Sequence, residues 1–129
     1  MNILLAVDGS DASDRAAKHV VQLSKHLAAP PKVTVVNVSL PLLMAATNKL
    51  GRKATADYYS SNSEYAVHKA RRILQRAKLD FTETFLVGEP AEEIARHAGK
   101  HDADLIVMGS RGQTALKSLL LGSVATKGL

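Results

Sequence analysis

A chain of 129 residues and 13.8 kDa has room for one hydrophobic core and not two, so a single domain over residues 1–129 without an internal linker is expected. It holds no run of about 18 apolar residues and no basic-then-apolar leader, which reads as cytoplasmic with no membrane partner, and its lack of cysteine excludes disulfides, thiol catalysis and thiolate metal sites together. The net charge of +5 raises the question of anionic partners, but the densest basic cluster, Lys69, Arg71, Arg72, Arg76 and Lys78, falls on a helical pattern as a solvated face and carries no nucleic-acid reading motif.

Asn2 to Val7 is an almost wholly apolar run stopped by Asp8, Gly9 and Ser10, which suits a strand covered on both faces of a parallel sheet. Ala16, Val20, Leu23 and Leu27 then recur at helical spacing. Ser10 is placed to cap that helix, and Pro30 and Pro31 close the segment. Asp11 and Asp14 suit the positive end of the helix, a metal pair being the other reading. Val33 to Val38 is β-branched and strand-like, ended by Ser39, Leu40 and Pro41.

From Leu42 to Lys53 the pattern is irregular and contains Gly51, so a lid and a plain surface connection both fit. A long helix is expected from about Ala54 to Lys78, with Ala66, Ala70, Ile73, Leu74 and Ala77 inward; Tyr58, Tyr59 and Tyr65 early on it suit packing against the sheet, stacking on a base being the other reading. Phe81 to Val87 alternates in its first half, as an edge strand does. Pro90 opens a third helix with Glu92 and Glu93 in its first turn, Gly99 and the charged stretch after it close it, and Leu105 to Met108 makes the fourth strand. The order βαβαβαβ predicts an α/β fold, an open doubly wound parallel sheet with helices on both faces.

In such a sheet ligands sit beyond the carboxyl ends of the strands, where strand order reverses. If strand four lies beside strand one, Asp8 and Gly109 face one crevice. A carboxylate there can accept from ribose hydroxyls, while Gly109, Gly112, Gly122 and Ser123 let main-chain N–H groups approach phosphates. Glycines that only turn the chain are the plainer alternative. Neither G-x-x-x-x-G-K-[ST] nor G-x-G-x-x-G is present.

The spacing G-x2-G-x9-G-[ST] at Gly109, Gly112, Gly122 and Ser123, with an Ile3 to Val7 strand running into Asp8, resembles the ATP-binding branch of the universal stress protein family over nearly the whole chain. The resemblance implies strand order 3-2-1-4-5 and a bound ATP, AMP or ADP with Mg2+ or Mn2+. It matches Asp8 to the ribose-contacting acid, Val38 to the residue whose main chain meets adenine, and Ala6, Val7 and Met108 to the pocket wall. It also matches Gly109, Gly112, Gly122 and Ser123 to the phosphate positions, with Arg111 and Val124 beside them. It implies a homodimer and a nucleotide-dependent regulator in the stress response, reading out to an unknown protein partner. One departure stands: the chain ends at Leu129, shortly after Ser123, where the family adds a full helix and a fifth strand that commonly forms the dimer contact.

No carboxylate near the glycines is an evident metal ligand or base, so no catalytic residue is assigned; slow ATP hydrolysis is a weaker alternative and a non-nucleotide interaction module of the same fold another. Ser110 lacks the glycine and the following histidine of a nucleophile elbow. His97 and His101 have the spacing of a helical metal pair without a third ligand, and read as surface histidines near a helix end.

Overall fold

The computed structural model describes residues 1–109. The elements in order are β1 (Asn2–Ala6), α1 (Asp11–Ser24), β2 (Lys32–Ser39), α2 (Met44–Arg76), β3 (Phe81–Val87), α3 (Pro90–Lys100) and β4 (Leu105–Met108). The described strands form one parallel sheet in the order β3-β2-β1-β4. This is the expected doubly wound α/β arrangement, with β1 inside and β3 at an edge. None of the described helices is long and apolar enough to cross a membrane.

Two cores follow from the period of the strands. Odd positions Ile3, Leu5, Val33, Val35 and Val107 pack with Ala17 and Val20 of α1 and Val67 and Leu74 of α2. Even positions Leu4, Ala6, Val36 and Ile106 pack with Ile94 and Ala98 of α3. Because β1 and β2 are covered on both sides, their sequences read as continuous apolar runs rather than as alternation.

The helix ends depart from the sequence reading in instructive ways. Leu27 lies past the end of α1 at Ser24, outside the stripe it was expected to join. The irregular stretch 42–53 is largely helical: α2 starts at Met44 and breaks at Gly51, whose φ of 86° and ψ of 171° only glycine adopts easily. This arm shows no apolar stripe because it covers little, Leu43, Met44 and Leu50 all being exposed. Gly99 lies within α3; the helix closes instead at Asp102, with φ 53°, where Ala103 N–H bonds Ala98 O at 2.9 Å and Asp102 N–H bonds Gly99 O at 3.5 Å. The tyrosines do not pack on the sheet as expected. Tyr58 and Tyr65 are exposed, and the Tyr59 hydroxyl accepts from Leu42 N–H at 2.7 Å, tying the α2 arm to its linker.

Arg71, part of the basic cluster, is not a solvated charge. Its guanidinium donates to both Glu83 oxygens at 2.6 and 2.9 Å and to Glu64 at 2.7 Å, clamping α2 to the edge strand β3. The bond from Arg71 holds the Glu64 carboxyl below its ordinary value. Arg71→Ala should therefore cost about 1–2 kcal/mol in chemical denaturation at neutral pH. A depressed carboxyl contributes stability above its ordinary range and loses it as pH falls through the folded value, so the deficit of the variant should shrink on acidification.

Candidate functional site

The register of β1 with β4 pairs Ala6 with Met108, so Asp8 and Gly109 leave neighbouring strands at the same pole. Ala6, Val38 and Met108 share the face that carries α3 and belong to one apolar cluster. Val7, the next residue, turns the other way: its side chain is buried in the α1 and α2 core. Its N–H bonds Val36 O at 2.9 Å and its carbonyl accepts from Asn37 Nδ2 at 2.9 Å.

The Asp8 carboxylate sits on a turn held by its neighbours. Its Oδ1 accepts from Ser10 N–H at 2.9 Å and from Ser13 Oγ at 2.7 Å, and the Asp8 N–H donates back to Ser13 Oγ at 2.7 Å. Ser13 is buried and donates its own N–H to the capping hydroxyl of Ser10. Gly9 lies between them with φ 84°, and a Cβ there would meet Tyr65 Cε1 at 3.0 Å. Both the backbone conformation and the approach of α2 require glycine at this position.

Gly109 is fixed by packing as well. A Cβ on it would lie 2.4 Å from the Ala12 carbonyl carbon, so the exit of β4 presses directly on the first turn of α1. The glycine therefore brings main chain against main chain at the pole where Asp8 emerges. Arg111, Gly112, Gly122, Ser123 and Val124 lie outside the described residues.

Several groups at this pole had no strong sequence signal. Ser13 reads as an ordinary helix residue, and Tyr65 as core; with Asp8, Arg15 and Lys69 they flank or line an open cleft of about 650 Å³ between the β1–α1 turn and α2, Ser13 beneath and the others in its wall. Lys69 Nζ approaches Asp14 Oδ2 at 3.6 Å, giving that carboxylate a cationic partner. Asn37 was visible as the one polar residue in the run Val33 to Val38 after Thr34. Buried, it fastens the end of β1 to β2 through Val7 O.

The Universal stress protein family profile matches residues 1–128. The chain belongs to the universal stress protein family. It is 34% identical over 126 residues to the universal stress protein MJ0531 of Methanocaldococcus jannaschii, covering 97% of this chain and 73% of that protein. It is 33% identical over 137 residues to MJ0577 of the same organism, covering 95% and 83%. Among solved structures, a universal stress protein in complex with cAMP superposes with a TM-score of 0.67 at 25% identity, covering 98% of this chain and 87% of that one.

Two substitutions probe the pole. Ser13→Ala removes both reciprocal bonds to Asp8 and should cost about 1–3 kcal/mol. Gly109→Ala forces a Cβ into the Ala12 backbone and should cost about as much through displacement of α1. Thermal and urea unfolding of the purified variants reads both; unchanged midpoints would mean that the turn is held by other contacts.

Proposed function

We propose that this universal stress protein binds an adenine nucleotide, ATP or its AMP or ADP relatives, at the carboxyl ends of β1 and β4 and acts as a nucleotide-dependent regulator in the stress response. The observation that carries the reading is the pairing of Ala6 with Met108, which sets the fixed carboxylate of Asp8 and the main chain of Gly109 at one pole. The relative solved with cAMP supports an adenine nucleotide as the ligand class.

In this reading Asp8 accepts from ribose hydroxyls, since Ser10 and Ser13 hold its Oδ1 and orient the carboxylate. The main chain of Val38 meets the base, with Ala6 and Met108 as apolar wall. Gly109, Gly112, Gly122 and Ser123, with Arg111 and Val124 beside them, supply the phosphate donors. Among the described residues no three of His, Cys, Asp and Glu converge where a cation would sit. Mg2+ or Mn2+, bound with the nucleotide, would supply charge neutralisation of the phosphates. Regulation, rather than efficient hydrolysis, is the output proposed, with a homodimer as its assembled form.

Calorimetric titration with ATP and magnesium tests the proposal. Binding in the micromolar range, about −8 kcal/mol, is expected. Asp8→Asn keeps an oxygen for Ser10 and Ser13 while removing the charge, and should weaken binding about tenfold, about 1.4 kcal/mol; Gly122→Val should abolish it. Absence of heat from the folded chain, or equal affinity in both variants, would overturn the reading.

A further inference from the structure

We propose a second ligand site, for a compact oxyanion of phosphate size, at the opposite pole of the sheet between the amino ends of β1 and β2 and the last turn of α3. The register places Asn2 beside Lys32 and Leu4 beside Thr34. His97 and His101 overhang these residues with their ring centroids 4.1 Å apart and tilted by 33°. Together they line a cavity of about 180 Å³, large enough for a phosphate group. Four strand steps from Asn2 to Ala6 put it roughly 13 Å from the pole of Asp8.

The charge pattern is what asks for an anion. Lys32 and the two imidazoles line the cavity, and no carboxylate lines it. Burial first, and then the charges of His101 and Lys100, push the His97 imidazole below its ordinary value, with no acid acting in the other direction. Basic groups gathered round a recess whose lining holds no carboxylate make it a favourable place for an anion.

In the adjoining α3–β4 turn, Asp104 and Asp102 both meet Asn2. Asp104 Oδ2 accepts from the Asn2 main-chain N–H at 2.7 Å, and the Asp102 carbonyl accepts from Asn2 Nδ2 at 3.4 Å. Neither residue lines the cavity. At the end of α3 the carbonyls of His97, Ala98 and Gly99 accept from His101, Ala103 and Asp102 within its closing turn. A helix end favours basic residues in general and so accounts for His97 and Lys100. It does not account for Lys32, which comes from β2.

Thr34 adds a hydroxyl, 3.4 Å from that of Thr82 and able to donate or accept. An oxyanion would thus meet Lys32 as a full charge, the imidazole N–H groups and a hydroxyl donor. Because it prefers the protonated form of His97, which burial holds below its ordinary value, its affinity rises as pH falls through that lowered range and is lost above it.

The test is NMR of the imidazole signals of the whole chain, titrated with sulfate, an oxyanion of phosphate size whose charge stays fixed, against chloride at equal ionic strength, at about pH 5 and about pH 8. The site predicts saturable shifts of His97 and His101 at the lower pH, with His19, His26 and His68 unmoved, and binding about tenfold weaker at the higher pH. Lys32→Ala, on an exposed side chain, should abolish the saturable shift, and His97→Asn should do so independently. Shifts that are linear and equal over all five histidines, or that persist in Lys32→Ala, would overturn the proposal.

Discussion

Ile3, Leu4, Leu5 and Ala6 are buried on both faces of the sheet at once, odd positions against α1 and α2 and even ones against α3. That two-sided burial sets where every other strand end lies. Each large side chain so placed contributes about 1.5–3 kcal/mol, and the parallel ladders on either side then carry β2 and β4 into fixed register with β1. An apolar strand of this kind has no polar face to penalise a slip by one residue. Its polar bookends do that work: Asn2 is tied to Asp104 at one end, and Val7 to Asn37 and Asp8 to Ser13 at the other.

Both poles of the molecule inherit their geometry from those bookends. At the carboxyl pole, the register brings the Asp8 turn and Gly109 together against the first turn of α1. The carboxylate is presented on a closed loop of hydrogen bonds that fixes its position. At the amino pole, the same ladder sets Lys32 beside Asn2 under the histidines of α3. The basic recess at the second is a property of the side chains of this chain.

The strands and the helices α1 and α3 were legible because burial writes a period into sequence: continuous apolar runs for β1 and β2, a helical stripe through Ala16 and Val20, Pro90 at a helix start. What burial does not pattern was not legible. The arm of α2 from Met44 to Gly51 leaves its apolar side chains exposed, and so carries no stripe to read. Tyr65 looks like core by type, yet lies exposed against Gly9. Asp8 and Gly109 stood out by position in the chain, but the clasp from Ser13 and the pressure of Gly109 on Ala12 are tertiary facts that no local spacing encodes.

The central claim is that the carboxyl pole of β1 and β4 is where an adenine nucleotide binds, and main-chain NMR during an ATP titration tests it most directly. The account predicts saturable shifts of the amides of Asp8, Val38 and Gly109 and of their immediate neighbours, while those of the β1 and β2 amino ends stay still apart from any phosphate effect at Lys32. Shifts that spare Asp8 and Gly109, or spread evenly over the basic faces of α1 and α2, would contradict it.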